Sequence, residues 1–368
     1  MSFQAIDPSQ YELLLAEKSQ RITELFADTT SLSPEVFRSP TSHYRMRAEF
    51  RIWHQDDDLF YAMFDPAEPK EPVRIDDFPV ASEQICSAMP KLLDGLRDAP
   101  ALRNRLFQVE FLSTLSGELL VTLIYHRKLG PEWQQAATEL CEQLDIEIIG
   151  RSRGQKVVLQ RDYVQEALPV GEQVFHYRQY EGGFSQPNAT VNSAMIQWAM
   201  ARASQAPERD LLELYCGNGN FTIPLAGCCR RVLATEISKT SVKAARENFE
   251  LNNVHNAEIA RMSSEDFTAA LQGEREFRRL EGIDLASYDL GTVLVDPPRA
   301  GLDEATCELI SGFDNIIYIS CNPHTLHRDL QQLCKSHALT HFALFDQFPY
   351  TEHMECGVFL QRANFATE

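Results

Sequence analysis

The sequence predicts an α/β fold with two parts, a mixed α+β module followed by a doubly wound, mostly parallel sheet. After about residue 190, helical patterns and short β-rich runs alternate regularly, which is typical of βαβ units. Before about residue 175, the elements are short and follow a β-hairpin and helix order. A chain of 368 residues also suits two domains better than a single core. We therefore predict domains over residues 1–180 and 181–368.

The first half is predicted to open with an amphipathic helix over residues 9–26, where apolar residues recur near helical spacing. Two further helical patterns cover residues 83–97 and 131–144. The strand-like runs of this half are residues 45–53, 59–64, 108–114, 119–126, 146–149 and 156–159.

The second half has the rhythm of a parallel sheet. Helical patterns at 239–251 and 325–336 separate β-rich runs, and a last strand at 356–361 is expected to pair antiparallel with the preceding one. The preceding strand-like runs are residues 211–215, 231–236, 258–261, 292–296, 316–321 and 338–345.

Composition excludes several classes of protein. Hydrophobic residues make up 44% and charged residues 24%, as in folded chains rather than disordered ones. No apolar run approaches the roughly 20 residues of a membrane helix, and the N-terminus lacks the features of a signal peptide. Nine cysteines without regular spacing favour a reducing compartment over a disulfide framework. We expect a cytoplasmic monomer without a membrane partner.

A glycine turn follows the first strand of the second half, in the run LLELYCGNGNFT. Gly217 and Gly219 allow a sharp turn and a close approach of the backbone to a ligand. The next strand ends at Glu236, where an acid can accept hydrogen bonds from ribose hydroxyls. These features predict a nucleoside cofactor on a Rossmann-like sheet, although two glycines also occur in ordinary βα turns.

The form of this turn favours S-adenosylmethionine over NAD. Dinucleotide sites use a third glycine, but Thr222 occupies that position. S-adenosylmethionine has no phosphate and does not require that glycine, and we expect Glu213 to be free to meet its positively charged methionine part. The run SSEDF at 263–267 is interpreted either as a helix cap, which is slightly favoured, or as an adenine contact.

The fourth strand of this half ends in Asp296, two prolines and Arg299. Methyltransferases that act on amines use a similar Asp-Pro-Pro motif, but they normally follow it with an aromatic residue. Arg299 instead suits a phosphate or a carbonyl oxygen that develops negative charge. A rigid turn with a surface arginine is the alternative.

Cys321 lies at the end of the fifth strand of this half. A cysteine within a strand is usually inert core, but its place at the strand end makes a nucleophile credible. Zinc binding by Cys321, His324 and His327 is an alternative. No C-x2-C pair accompanies them and Pro323 disrupts the local geometry, so we expect no metal.

The run FDQFPYTEHMEC at 345–356 is a polar loop between two β runs. His353 and Glu355 are both candidate proton acceptors, although Glu355 also suits a surface strand end and Cys356 a core position. The glycine turn, Glu236, Asp296 and Cys321 all directly follow strands of one parallel sheet. We therefore expect them at the same sheet edge, where ligands bind.

A sulfonium methyl donor beside a cysteine, an arginine and a carboxylate predicts methyl transfer to a pyrimidine C5. Amines and hydroxyls attack a methyl group directly, whereas C5 becomes nucleophilic only after a thiolate adds at C6. A carboxylate then suits removal of the C5 proton, and hydrogen-bond donors would stabilise the enolate.

The chain resembles the RNA (uracil-5-)-methyltransferase family in six motifs. They are FSQPN, LLELYCGNGNF, VLATEIS, VDPPRAGL, YISCNP and FDQFPYTEHMECGV. The run HYRMRAEFRIWH and the length resemble the bacterial tRNA enzymes of that family. The resemblance implies methylation of the T-loop uridine of tRNA, uridine 54, to ribothymidine, with tmRNA as a further substrate. The chain lacks the cysteine cluster of the ribosomal RNA relatives, so no iron–sulfur cluster is expected.

The resemblance also implies roles for single residues. Cys321 matches the nucleophile, Glu355 matches the base that takes the C5 proton, and Arg299 is a candidate contact for the enolate or a phosphate. The candidate cofactor-binding residues are Gln186, Tyr215, Gly217, Gly219, Asn220, Glu236 and Asp296.

The first half is then expected to recognise the T-arm of tRNA. The net charge of −19 argues against a nonspecific polyanion binder, so binding must use local basic surfaces. We expect Arg45, Arg47 and Arg51 to project to one side of a strand and contact phosphates, although each also suits a solvated surface. The other candidates for RNA contact are Phe107, His126, Phe184, Arg151, Arg153 and Lys156.

Two other functions remain open on the residues alone. An amine N-methyltransferase acting on RNA through the Asp-Pro-Pro motif would not need Cys321. A noncatalytic RNA-folding factor would keep the fold without the reaction.

Overall fold

The structure is a computed structural model that describes residues 6–56, 58–65 and 68–363. None of its helices, within those residues, is long and apolar enough to cross a membrane.

The α-helices are α1 (Tyr11–Leu25), α2 (Glu83–Asp98), α3 (Pro100–Arg103), α4 (Pro131–Leu144), α5 (Ala189–Ala203), α6 (Thr222–Leu225), α7 (Lys239–Leu251), α8 (Ser264–Leu271), α9 (Glu304–Ile310) and α10 (Pro323–Leu333). The strands are β1 (Glu35–Phe37), β2 (Arg47–Gln55), β3 (Asp58–Phe64), β4 (Pro72–Ile75), β5 (Leu106–Ser113), β6 (Leu119–Tyr125), β7 (Glu147–Ser152), β8 (Gln155–Val158), β9 (Tyr163–Val170), β10 (Gln173–Tyr180), β11 (Asp210–Leu214), β12 (Val232–Thr235), β13 (Ala257–Ala260), β14 (Leu290–Val295), β15 (Asn315–Ser320), β16 (His337–Phe345) and β17 (Glu355–Arg362).

The C-terminal sheet has eight strands in the order β1-β16-β17-β15-β14-β11-β12-β13. The strands from β11 to β15 pair in parallel, whereas β17 runs antiparallel to both of its neighbours. The central strands are buried almost throughout, as their near-continuous apolar sequences predict for a sheet covered on both faces. The predicted doubly wound sheet and the antiparallel pairing of its last two strands are confirmed.

The N-terminal sheet has seven strands in the order β4-β3-β2-β5-β6-β7-β8. All neighbours are antiparallel except β6 and β7, which α4 connects. Helices α2 and α4 supply Leu92, Leu96 and Trp133 to the core on one face. Along β2, buried residues alternate with Glu49 and Arg51, which are exposed on the other face. The predicted α+β module is therefore present, with one sheet face packed and the other partly open.

The first helix packs against the opposite half of the chain from the one to which the prediction assigned it. Tyr11, Leu15, Ile22 and Phe26 join the core of the C-terminal sheet, where the Phe26 ring lies 5.1 Å from that of Phe342. The short strand β1 pairs in parallel with β16 at the edge of the same sheet. The apolar face of a helix and an open strand edge both need a partner, and each finds one here. The functional division at residue 180 stays a prediction.

Two elements that join the halves were not assigned from the sequence. Strands β9 and β10 form an antiparallel hairpin, and α5 follows it. Leu168 and Tyr177 of the hairpin share a core with α5 and the glycine turn. The backbone N–H of Arg178 donates to Oδ1 of Asn248 on α7 at 2.7 Å. This hairpin therefore ties the link between the halves to the cofactor side of the C-terminal sheet.

Candidate active site

The predicted site residues converge on a cavity of about 710 Å³ at the C-terminal edge of the parallel strands. This is the edge where ligands bind in doubly wound sheets. The lining includes these residues singled out in the sequence: Arg45, Arg47, Phe184, Gln186, Tyr215, Gly217, Asn220, Glu236, Asp296, Arg299, Cys321 and Glu355. Residues that the sequence analysis missed also line it, among them Asn192, Ser241 and Phe348.

The glycine turn approaches the cavity through an unusual run of backbone conformations. Tyr215, Gly217 and Gly219 have φ angles of 64°, 59° and 87°. Gly217 lines the cavity, and a Cβ on it would meet open space. Gly219 does not line the cavity, since a Cβ there would come within 3.1 Å of the Phe249 ring. Its predicted role is therefore indirect, because it allows the turn to pack closely on α7.

Glu236 is held in place before any ligand binds. One carboxylate oxygen accepts the backbone N–H of Gly217 at 3.0 Å, and the other accepts that of Ser238 at 2.7 Å. The acid predicted for ribose thus braces the end of β12 against the glycine turn. Pre-organised groups of this kind bind a ligand at a lower entropic cost.

Asn220 is fixed by an amide pair that sequence reasoning missed. The side-chain amides of Asn220 and Asn192, on α5, exchange two hydrogen bonds of 2.9 Å. The Tyr177 hydroxyl donates to the backbone carbonyl of Asn220 at 3.0 Å. The only sequence signal for this contact is a polar residue on the apolar face of a helix. The helix itself was not assigned.

Glu213 is expected from the sequence to meet the cofactor directly or through water, and the geometry does not support a direct contact. Its side chain lies buried in β11, does not line the cavity, and accepts a hydrogen bond from Thr222 Oγ1 at 2.6 Å. Burial raises the pKa of Glu213 to about 8, and this is opposed by the bond from Thr222. The acid therefore supports the base of the glycine turn.

The run at 263–267 caps a helix, as the favoured interpretation had it. Ser263 Oγ accepts the backbone N–H of Asp266 at 3.1 Å at the start of α8. Ser264 makes a 2.7 Å hydrogen bond with the hydroxyl of Tyr215, which fixes that side chain beside the cavity. An adenine contact by these acids stays a prediction.

Cys321 and Glu355 face each other because of the antiparallel pairing of β15 with β17. The last registered pair is Ser320 with Cys356, and Cys321 and Glu355 occupy the next position toward the cavity. Opposite residues of an antiparallel pair have Cα atoms about 5 Å apart. Cys321 is partly exposed, whereas Glu355 is only 5% exposed and Cys356 is fully buried. The core interpretation of Cys356 is confirmed.

Two acids of the cavity, Asp296 and Glu355, have no cationic partner within the part of the chain that the structure describes. The carboxyl groups of Asp296 and Glu355 make no hydrogen bond or ion pair with other residues that the structure describes. Burial raises the pKa of Asp296 to about 7. Burial, with a smaller effect of Asp296, raises the pKa of Glu355 to about 8. Such a cavity is suited to a positively charged ligand, which would stabilise both carboxylates.

The same buried acids make the Cys321 thiol harder to deprotonate. Its pKa is raised to about 11 by burial, and then by the charges of Glu355 and Asp296, while Arg299 opposes the shift. Arg299 is exposed at the rim and donates to His353 Nδ1 at 3.3 Å. A cation in the cavity would therefore favour the thiolate, the form that can attack.

The zinc alternative finds no support in the geometry. His327 Nε2 lies 2.7 Å from Asp28, and the His327 ring packs on the edge of Phe26. Within residues 6–56, 58–65 and 68–363, no group of three or more His, Cys, Asp or Glu residues is placed to hold a metal ion.

The predicted RNA-binding residues fall into two groups rather than one arginine stripe. Arg45 precedes β2, donates to the carbonyl of Arg47 and lines the cavity. Arg47 donates to the carbonyl of Gly183 and to Ser185 Oγ, so it holds the chain next to Phe184. Arg47 and Arg51 lie on the same face of β2, whereas Arg45 precedes the strand, so only two of the three arginines share the expected strand face. Contact of these arginines with RNA phosphates stays a prediction.

The second group is a stack on the open face of the N-terminal sheet. The rings of Phe107 and His126 stack at 4.0 Å, and the Arg51 guanidinium lies 3.8 Å from the centre of the Phe107 ring. The other basic candidates are partly neutralised, since Arg151 and Lys156 both pair with Glu181. Phe184 stands apart at the mouth of the cavity and is 70% exposed.

A solved structure shares this fold. The Pyrococcus abyssi tRNA (uracil-54, C5)-methyltransferase in complex with S-adenosyl-L-homocysteine superposes with a TM-score of 0.72, covering 95% of this chain and 83% of that one at 21% identity. The fold and the cavity at its strand edge define an S-adenosylmethionine-dependent methyltransferase fold, as predicted.

Sequence comparison narrows the class to a family. A family model described as tRNA (Uracil-5-)-methyltransferase matches residues 10–363. The tRNA/tmRNA (uracil-C(5))-methyltransferase of Ectopseudomonas mendocina is 55% identical over 98% of this chain and 100% of its own length. The enzyme of that name from Acinetobacter baylyi is 55% identical over 95% of this chain and 98% of its own. The chain belongs to the tRNA (uracil-5-)-methyltransferase family.

The coupling of Cys321 to Glu355 can be measured by alkylation. With a thiol pKa of about 11, the rate of Cys321 modification by iodoacetamide should rise about tenfold per pH unit toward that value. Glu355→Gln removes a neighbouring negative charge, which lowers the thiol pKa. We expect several-fold faster alkylation of the variant at pH 9, where Glu355 is ionised, and similar rates at pH 6, where it carries its proton.

Mass spectrometry of the Cys321 peptide gives these rates separately from the other eight cysteines. Glu352→Gln is the matched control, since Glu352 belongs to the same loop but its side chain is 73% exposed. Equal rates for wild type and Glu355→Gln at pH 9 would show that the two groups are not electrostatically coupled.

Proposed function

We propose that the protein uses S-adenosylmethionine to methylate C5 of the T-loop uridine of tRNA, uridine 54, giving 5-methyluridine. The observation that carries this proposal is the placement of a partly exposed thiol opposite an unpaired carboxyl group at the methyl-donor cavity. The names of the bacterial relatives support tRNA as the substrate and tmRNA as a second one. The motifs that resemble those of the bacterial tRNA enzymes support the proposed position within the T-loop. We place the enzyme with its tRNA substrate in the cytoplasm, acting as a monomer.

The residues of the cavity fit the cofactor. Glu236, fixed by two backbone N–H groups, is placed for ribose hydroxyls, and Gly217 leaves open space for a close approach. The uncompensated Asp296 carboxyl suits a sulfonium cation. Gln186, Tyr215 and Asn220 complete the proposed contacts from the cavity wall. When bound, S-adenosylmethionine supplies an electrophilic methyl group.

The chain's own residues account for the remaining chemistry. The Cys321 thiolate adds to uracil C6, forming an S–C6 bond and moving the electron pair of the C5–C6 double bond toward C5 and O4. After C5 gains the methyl group, the Glu355 carboxylate takes the C5 proton. The electrons of the C5–H bond restore the double bond, and the S–C6 bond breaks to release Cys321. Glu355 must be ionised for this step, and its proton must leave before the transfer, because the sulfonium charge that would favour the carboxylate is lost with the methyl group.

Arg299 is placed to assist at the rim. Its guanidinium is exposed beside Cys321, while Asn322 Nδ2 donates to its backbone carbonyl at 3.0 Å. We propose that it donates to the enolate oxygen or to a phosphate of the RNA, either of which suits a fixed arginine fork.

The stack of Phe107, His126 and Arg51 is proposed as a platform for an RNA base. Sequence-specific recognition of RNA commonly targets unpaired bases that stack on aromatic rings and guanidinium planes. The stack lies on the N-terminal sheet, and the methyl-transfer cavity lies at the edge of the C-terminal sheet. We propose that one T-loop contacts both places, with its target uridine turned outward into the cavity. Phe184, exposed at the cavity mouth, is placed to contact the extruded base.

Trapping of the covalent intermediate tests the nucleophile. With tRNA containing 5-fluorouridine and S-adenosylmethionine, wild type should accumulate a denaturant-stable protein–RNA complex, because fluorine cannot leave as a proton. Cys321→Ala should form no complex and transfer no methyl group to normal tRNA. Cys334→Ala is the control, since Cys334 is a partly exposed cysteine at the C-terminal end of α10. Methylation by Cys321→Ala would instead favour an amine N-methyltransferase, and no methylation by wild type would favour a folding factor.

Replacement of the base separates addition from release. Glu355→Gln should still form the adduct, but kcat should fall by about 10²–10⁴-fold because general-base catalysis is lost. The methylated adduct with normal tRNA should then persist on denaturing gels. Glu352→Gln in the same loop should turn over as wild type does. An unchanged kcat in Glu355→Gln would remove Glu355 from the role of base.

The stacking platform predicts a loss of RNA affinity. Phe107→Ala should raise the Kd for tRNA by roughly 5- to 150-fold, since stacking of one base contributes about 1–3 kcal/mol. Filter binding without cofactor measures this change. Val174→Ala, at an exposed apolar residue of the β9–β10 hairpin, is the control. A Kd equal to that of wild type would show that the platform does not contact RNA.

A further inference from the structure

A buried lysine from the first helix ties together the loop that precedes Glu355. Lys18 lies on α1 and is 5% exposed. Its ammonium donates to Asp346 Oδ1 at 2.5 Å, to the carbonyl of Phe348 at 3.1 Å and to the carbonyl of His353 at 2.9 Å. An ammonium group has three donors, and all three are used.

The two carbonyl groups belong to opposite ends of one loop. Residues 346–354 connect β16 to β17, and Phe348 and His353 lie near the start and the end of this loop. The ammonium group of Lys18 therefore connects the two ends of the loop through hydrogen bonds. Phe348 lines the cavity, His353 contacts Arg299, and Glu355 follows two residues after His353.

Other contacts hold the tip and the start of the loop, where the backbone N–H of Asp346 donates to the carbonyl of Phe37 and Gln347 accepts the backbone N–H of Asn188, but they do not connect its two ends. Tyr350 donates to the carbonyl of Thr41 at 2.6 Å, and Tyr44 donates to the carbonyl of Pro349 at 3.3 Å. Arg21 donates to the carbonyl of Glu352 at 2.8 Å from a partly exposed position. The Phe348 carbonyl also accepts hydrogen bonds from the backbone N–H and the hydroxyl of Thr351, which lie within the loop. Among the described residues, Lys18 is the one side chain that bonds the carbonyls of both Phe348 and His353.

Charge compensation by itself would not require this arrangement. Asp346 is 1% exposed and needs a partner, and a single ion pair would provide one. The two additional bonds to loop carbonyls contribute nothing to neutralising Asp346. They restrain the backbone that leads into Glu355.

We propose that Lys18 is a positioning residue for proton abstraction: by bridging the carbonyls of Phe348 and His353, it holds the loop that enters β17 at Glu355, the strand residue that pairs with Phe345 and reaches the uracil C5 proton. This inference rests on the proposed function of Glu355. It assigns a role in catalysis to a helix from the other end of the chain. Lys18 itself does not touch the substrate.

The test uses a double variant that removes the bridge without leaving a buried charge. Lys18→Met alone leaves Asp346 unpaired and should lower Tm. Lys18→Met/Asp346→Asn should regain much of that stability but not the carbonyl bonds. A second pair, Lys18→Met/Asp346→Leu, covers failure of the first to fold, since apolar replacement of a buried ion pair is often neutral or stabilising. Glu17→Gln, at the exposed neighbour of Lys18, is the control.

With unmodified tRNA and saturating cofactor, the folded double variant should lose about 10- to 100-fold in kcat, since a displacement of about 1 Å at a catalytic group costs on this order. Its kcat/KM for tRNA should stay within about twofold, and KM should fall together with kcat, because the RNA-binding face and the steps through methyl transfer are unchanged. The methylated adduct with normal tRNA should accumulate, as expected for Glu355→Gln, because the step that slows comes after methyl transfer.

A wild-type kcat in a folded double variant would overturn the proposal and reduce Lys18 to a partner for Asp346. A loss confined to KM, or a lower kcat without accumulated adduct, would also overturn it. Failure of the proposed function is a different result, since wild type itself would then form no 5-methyluridine in tRNA.

Discussion

The pairing of β17 between β15 and β16 is the constraint on which the site depends. A parallel sheet brings the C-terminal ends of its strands to one edge. All the residues that follow these strands therefore reach the site from the same chain direction. The antiparallel β17 enters from that edge, so its first residue, Glu355, meets Cys321, the first residue after β15. A nucleophile and a base thereby approach from opposite chain directions at a fixed strand spacing.

The cavity holds acidic groups without a cationic partner among the described residues, and a positively charged ligand would stabilise their ionised forms. Asp296 and Glu355 are desolvated without compensating cations, and the Cys321 thiol is held protonated beside them. Groups in this condition cost folding free energy, and they concentrate where function requires them. A cationic methyl donor would shift all three toward their ionised forms. On this view the thiolate and the base become available together, when the donor is present.

Distant segments hold the loops around this edge. The helix α1 reaches the loop before β17 through Lys18, and the hairpin of β9 and β10 reaches the glycine turn through Tyr177. Neither contact could be predicted from its local sequence. A lysine in an amphipathic helix suggests a solvated position, and an alternating run such as Tyr163–Val170 does not specify what its buried face will meet. Long-range packing decides both.

The sequence by itself determined the parallel sheet, the glycine turn, and the placement of Glu236, Asp296 and Cys321 at one edge. Apolar strands alternating with helices permit few arrangements, and strand ends carry their side chains to the same side. Only the tertiary structure decided that Glu213 is buried under the turn, that Arg47 is bonded within the chain, and that α1 packs on the C-terminal sheet. These outcomes depend on which surfaces remain to be covered once the sheets have formed, and local periodicity carries no information about that choice.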